Sequence, residues 1–302
     1  MLPKTFPLTT LLLGFALCLN AQRPPVPQTP APISDPAATV SVEQDVAYGV
    51  QGGEKLLLDI YQPADRGSRP RPAVVLIHGG SWSSFDKSTM RGMGNFLARS
   101  GFVAASVDYR LLHGSDNRWP AQLDDVQRAV RWLRANASKY NIDGNRIGAF
   151  GHSAGAQLAA LLGMEDTRDN SDPALAKFSS RVQAVVDVSG PSDFLTNHDP
   201  DGDAMLANFL GGDANKIPEV WRSASPVFHA DKSNAPFLIV HGTHDDEVPI
   251  AQAQELYDKL HQAGVSVSLV KVDDVHTFQK PDARRQLAIE TLEFFNRYLV
   301  VN

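Results

Sequence analysis

The sequence predicts a three-layer α/β sandwich, in which a mostly parallel sheet of about eight strands, opened by antiparallel N-terminal strands, lies between two helical layers. Three observations predict it. Short apolar runs alternate with amphipathic stretches of ten to twenty residues, the rhythm of a parallel sheet wrapped by helices. The runs are almost continuously apolar, as in "PAVVLIHGG" (72–80), which is how a strand covered on both faces reads. Composition permits such a core, since 43% of the 302 residues are hydrophobic and 21% charged.

The chain opens with "MLPKTFPLTTLLLGFALCLNA" (1–21): one lysine, a short apolar stretch, then small residues up to Ala21. That layout predicts a signal peptide cleaved near Ala21 and an exported protein, periplasmic or secreted. The apolar stretch is short for a bilayer span, and no later run is long enough, so no stable membrane insertion is expected. Cys18 is the only cysteine. Leu17 before it is bulkier than the small residue expected beside a lipid-modified cysteine. A chain cleaved after Ala21 has no disulfide, no thiolate metal ligand and no cysteine nucleophile. Residues 22–39 are rich in proline and read as a tether without a core.

A single folded domain is expected over 40–302. "SVEQDVAYGV" (41–50) and "KLLLDIYQP" (55–63) form an antiparallel opening pair across Gly52 and Gly53. The first buried strand, 72–80, follows. A helix over 88–99 places Met90, Met93, Phe96 and Leu97 on one side. A strand (101–110) comes next. One long helix is expected over 119–140, with Leu123, Val126, Val130 and Leu133 at helical spacing. Then come strand 146–153, helix 154–164, strands 182–190 and 235–242, helix 251–264, strand 266–274 and helix 282–300. Segments 165–181 and 191–234 break the rhythm and read as loop-rich insertions, either shaping a pocket or elaborating the surface.

The formal charge of −6, without any Lys/Arg-rich block, argues against a nucleic-acid partner. Dinucleotide and phosphate-loop fingerprints are absent, as are H-x-x-x-H and H-E-x-x-H, so no cofactor and no metal are expected.

The chemistry gathers around "GHSAG" (151–155), a G-x-S-x-G pentapeptide between a predicted strand and a predicted helix. A sharp strand-to-helix turn exposes a strained serine at its tip, here Ser153. The glycines keep neighbouring backbones free of side-chain clash. The amide of Ala154 then points where an oxyanion would form. "HGGSW" (78–82) ends an earlier strand and offers the amides of Gly80 and Ser81 as further donors. Trp82 is either a wall of the substrate site or a packing anchor. A free hydroxyl is a poor nucleophile and needs a base. His276, in "DDVHTF", lies after the last strand, late in the chain, where this architecture places its histidine. His152 should point away and shape the turn. His78 should fix its loop, and His241 reads as structural. His113, His198, His229 and His261 have no supporting motif. The acid that orients the base comes from "HGTHDDEVP" (241–249), with Asp245 preferred and Asp246 its rival. Asp273 and Asp274 read as ordinary strand-end acids.

In this order "HGGSW", "VDYRL" (107–111), "WPAQLDDVQRAVRWLRANA", "GHSAGAQLAALLG", "SPV" (225–227) and "FLIVHGTHDDEVP" resemble the α/β-hydrolase superfamily over roughly residues 42–298. More narrowly they resemble its carboxylesterase and lipase-like branch with an HGG-type oxyanion loop, which includes acetylxylan and feruloyl esterase-like members. The resemblance implies a triad of Ser153, Asp245 and His276 and no cofactor. Ser81 departs from it, standing where related lipases carry a third glycine. The implied activity is hydrolysis of short- to medium-acyl esters, free or linked to a plant polysaccharide. A formamidase of the same fold is the nearest alternative, followed by an exopeptidase and a non-catalytic binding protein. Acyl and alcohol preference and oligomeric state lie beyond the sequence.

Overall fold

Eight strands among the described residues form one sheet. The computed structural model describes residues 38–196 and 200–300, which belong to the unit Ala31–Asn302. The signal-peptide segment with Cys18, the tether up to residue 37, and His198 lie outside the described residues.

β1 (Val40–Gln51) and β2 (Glu54–Pro63) pair antiparallel, and β2 runs antiparallel to β4 (Val103–Val107). From there β3 (Arg71–Ile77), β5 (Ile142–His152), β6 (Ala184–Val188), β7 (Phe237–Gly242) and β8 (Val267–Val272) continue the sheet in parallel. The side-chain period of two explains the layers. Along β3, Ala73, Val75 and Ile77 join the core on one face, while Val74 and Leu76 join the core on the other. α1 (Arg91–Arg99), entered through a 3₁₀ turn (Lys87–Met90), and α8 (Pro281–Leu299) cover the second face through Leu97, Leu292 and Phe295. α2 (Ala121–Ala135), α4 (Ala154–Met164) and α7 (Ile250–Gln262) cover the first through Leu123, Leu158 and Leu256.

Two expectations are corrected. The long helix over 119–140 is two: α2 ends at Ala135 and a short α3 (Ala137–Tyr140) follows, because the chain leaves helical geometry at Asn136, φ −105°. The segment 191–234 is also more helical than its polar, glycine-rich text suggests. It holds α5 (Pro200–Leu210), α6 (Pro218–Ala224) and a 3₁₀ turn (Pro226–His229). Leu206, Phe209, Leu210 and Trp221 from this segment are buried against the sheet's first-face core. Segment 165–181 carries no regular element, as expected. No helix among the described residues is long and apolar enough to cross a membrane.

Candidate active site

β5 ends at His152 and α4 begins at Ala154, so Ser153 alone makes the turn between them. Its backbone sits at φ 55°, ψ −125°, a strained conformation for a residue with a side chain. The surroundings hold it there. The Ser153 amide donates to the carbonyl of Val188 on β6 at 2.8 Å. A side chain at Gly151 would meet the Gly155 carbonyl at 2.1 Å, and one at Gly155 would meet the Ile77 carbonyl at 2.2 Å. Both positions therefore require glycine, because the turn is pressed against itself and against the end of β3.

The loop after β3 lies beside this turn: a Cβ on Gly79 would stand 3.0 Å from Ser153 Cβ. Gly80, Ser81 and Trp82 all have positive φ, at 107°, 49° and 57°. The Gly80 carbonyl accepts the amides of Ser83 and Ser84 at 3.0 Å, closing a tight turn. Among the described residues, the amides of Gly80, Ser81 and Ala154 donate to no protein acceptor. The loop is braced from beneath. His78 stacks on Tyr109 with ring centroids 4.3 Å apart, and the Tyr109 hydroxyl donates to the His78 carbonyl at 3.0 Å. Burial pushes the His78 pKa down, keeping that brace uncharged. Trp82, for which wall and anchor both stood open, is 2% exposed. It stacks on Phe209 of α5 at 4.3 Å and donates to Gln157 of α4 at 3.1 Å, the surroundings of an anchor.

His276 and Asp245 meet across the loops that follow β8 and β7. His276 Nδ1 and Asp245 Oδ2 are 2.8 Å apart, and both side chains are almost fully buried. The other carboxylate oxygen, Oδ1, accepts the amides of Glu247 at 3.0 Å and Val248 at 2.8 Å. Burial alone would raise the Asp245 pKa. Hydrogen bonds from His241, His276 and the Val248 amide outweigh burial and hold the carboxyl well below the usual carboxylate range. Asp246 is exposed and is not the partner of His276. Asp273 pairs with Lys280 at 2.9 Å on the surface. Asp274 is buried and accepts the amides of Val275 and Lys280, each at 2.8 Å, shaping the loop that carries His276.

Three neighbours play parts that the sequence did not disclose. His152 does not turn away. Its Nε2 donates to the His276 carbonyl at 3.0 Å, tying the serine turn to the histidine loop. His241 closes β7 and does more than fill space: its Nε2 donates to the Val248 carbonyl at 2.8 Å and faces Asp245 Oδ2 at 3.1 Å. Glu247 places Oε2 3.7 Å from His276 Nε2 while its side chain stays 64% exposed. No signal in the linear text marks these contacts, since each depends on how one loop closes on another.

Chemically the arrangement joins a hydroxyl on a strained turn, unpaired amides beside it, and an imidazole oriented by an ionised carboxylate. These are the parts of nucleophilic acyl transfer. Among the described residues, no group of three or more His, Cys, Asp or Glu is placed to hold a metal ion.

The chain is similar in sequence and in fold to known esterases. Esterase LipC of Mycobacterium tuberculosis is 32% identical over 223 residues, covering 71% of this chain and 54% of its own length. Esterase LipQ of the same organism is 30% identical over 259 residues, covering 83% and 60%. The chain thus spans a little over half the length of these relatives. The butyrate-bound structure of the esterase Est2 from Thermogutta terrifontis superposes with a TM-score of 0.71 at 26% identity, covering 87% of this chain and 94% of that one. The family model BD-FAE matches residues 58–260, from β2 through α7 and so across both the serine turn and the Asp245 loop. The chain belongs to the BD-FAE family, in the esterase and lipase-like branch of the α/β-hydrolase superfamily.

Proposed function

We propose that this chain is a serine carboxylic-ester hydrolase acting on short- to medium-acyl esters through an acyl-enzyme intermediate. The observation that carries the reading is the 2.8 Å contact of His276 Nδ1 with the ionised, amide-supported Asp245 carboxylate. With Nδ1 engaged, Nε2 is the nitrogen left for chemistry. It takes the Ser153 proton as Oγ attacks the acyl carbon. The carbonyl oxygen gains negative charge opposite the amides of Gly80, Ser81 and Ala154. The imidazolium, stabilised by Asp245, returns its proton to the leaving alcohol as the ester C–O bond breaks. A water, deprotonated by the same nitrogen, then attacks the acyl-serine and frees the acid and the serine hydroxyl.

Relatives support a small acyl group: Est2 is described with butyrate and with propionate bound. A carbohydrate esterase from gut microbiota, 26% identical with a TM-score of 0.71, supports an ester carried on a polysaccharide. Export, argued from residues 1–21, belongs to the same proposal. Cell fractionation with and without that segment tests it.

The activity test compares kcat/KM on p-nitrophenyl acetate, butyrate and decanoate, methyl ferulate, acetylated xylan and N-formylkynurenine. Ser153→Ala should abolish turnover. Asp245→Asn should cost about 10⁴-fold in kcat, the loss seen when a triad acid becomes an amide, while Asp246→Asn stays within about twofold. Paraoxon, which phosphorylates Est2, should leave its adduct on Ser153, located by peptide mass spectrometry. Undiminished turnover in Ser153→Ala, or faster cleavage of the formyl amide than of any ester, overturns the reading.

A further inference from the structure

We infer that Glu247 makes the alcohol side of the site selective for charge, favouring esters whose leaving alcohol carries an ammonium group; this rests on the ester-hydrolase reading above. The argument starts from His276. Its Nδ1 is committed to Asp245 at 2.8 Å, so the leaving oxygen must receive its proton from Nε2. Proton transfer requires that oxygen within about 3 Å of Nε2. Glu247 Oε2 is 3.7 Å from the same nitrogen. Every alcohol that leaves through His276 therefore departs within roughly 7 Å of the Glu247 carboxylate.

Two further facts make that charge effective. The Glu247 amide donates to Asp245 Oδ1 at 3.0 Å, so the carboxylate that orients the base also fixes the main chain carrying the glutamate. The Glu247 side chain is 64% exposed while His276 is almost buried, so the carboxylate stands on the solvent side of the imidazole, where an alcohol must exit. It is also unneutralised by any cationic side chain: among the described ion pairs its one partner is His276. A positive charge a few atoms beyond the leaving oxygen gains attraction as it binds. A negative charge there meets repulsion. For an exposed carboxylate at this distance, Coulomb attraction in water-like surroundings gives about 3-fold, rising to about 10-fold where water is partly excluded.

The test uses two esters of nearly the same shape, acetylcholine and 3,3-dimethylbutyl acetate. Their kcat/KM values are measured for the wild type, Glu247→Gln, Glu247→Lys and the distant control Glu54→Gln, at low and high salt. The ratio of cationic to neutral ester should fall about 3- to 10-fold in Glu247→Gln. It should fall further in Glu247→Lys, hold in Glu54→Gln, and shrink with salt in the wild type. A ratio unchanged in both Glu247 variants, with both esters turned over, overturns the charge selection alone. A wild type that cleaves neither these esters nor p-nitrophenyl acetate overturns ester hydrolysis, and this inference with it.

Discussion

Asp187→Asn should stabilise the fold at neutral pH and change it little in acid. Asp187 lies on β6, paired in register with Gly151 of the serine turn, and is 1% exposed. Its Oδ1 accepts the Gly190 amide at 3.0 Å. Burial pushes its pKa from the ordinary 3.8 up to about 6, against smaller opposing effects of His241 and that amide. The unfolded chain releases this proton near the ordinary value. Between the two, the folded chain holds a proton that the unfolded chain has lost, so stability falls as pH rises. The stabilisation is complete below the unfolded pKa and gone once pH passes the folded one. The difference between the two values corresponds to about 3 kcal/mol. Asparagine is neutral throughout and keeps the oxygen that Gly190 requires. A Cβ at Gly190 would stand only 2.5 Å from Asp187 Oδ1, so the pocket is tight and the isosteric amide is the fair probe. Urea unfolding of both proteins at intervals from about pH 4 to 8 gives the difference directly. It should grow in favour of asparagine by about 2.5 kcal/mol across that range, most steeply midway between the unfolded and folded pKa values. A difference independent of pH, or one that grows in favour of aspartate, refutes the reasoning.

Ser81→Gly should raise the unfolding midpoint, since φ 49° strains a residue with a Cβ by about 1 kcal/mol, and should keep kcat because the amide remains; a drop in stability denies the strain. Gly80→Ala should lose about 100-fold in kcat, because its Cβ would stand 2.3 Å from the Ser84 carbonyl and turn the donor loop; retained kcat removes Gly80 from the oxyanion site. Trp82→Ala should cost about 3–5 kcal/mol in denaturant unfolding, as it empties the stack on Phe209; a loss under 1 kcal/mol with a large rise in KM would return Trp82 to the substrate wall.

The sheet was legible because its signal is redundant. Eight segments each predict a strand, most of them as apolar runs, and eight strands among the described residues form one sheet. The helical pieces of the 191–234 segment are not legible in the sequence, although Leu206, Phe209 and Leu210 stand at helical spacing. Short pieces flanked by proline, glycine and aspartate carry too few turns for periodicity to outweigh their loop-like composition. The break at Asn136 was hidden for the opposite reason: good helix formers on both sides smooth over one residue that leaves the helix. Asp245 and Asp246 are chemically identical neighbours, and only loop closure tells them apart. One receives two amides and two imidazoles, and the other faces water. His152, His241 and Glu247 belong to the same class. Their roles are contacts between loops, and contacts between loops leave no period.

The strain itself is distributed in a way that points to the site. Nine non-glycine residues among those described have positive φ, and six of them — Ser81, Trp82, Phe85, Ser153, Ser189 and Phe278 — follow the carboxyl ends of β3, β5, β6 and β8. Such conformations cost about 1–3 kcal/mol each and persist only where the surroundings over-determine them. Here the parallel strands supply that constraint. β3, β5 and β6 are buried on both faces, and their last residues hand over to loops within hydrogen-bonding reach of one another. The Ser153 amide is held by Val188 and the Ser189 amide by Val240, so each strand pins the strained turn of its neighbour. A nucleophile that must sit in an unfavourable backbone conformation, with donors fixed to a fraction of an ångström, is therefore placed where adjacent strand ends lock each other. The same locked edge shuts Asp187 away from water, and that exclusion is what raises its pKa and makes its ionisation costly beneath the serine turn.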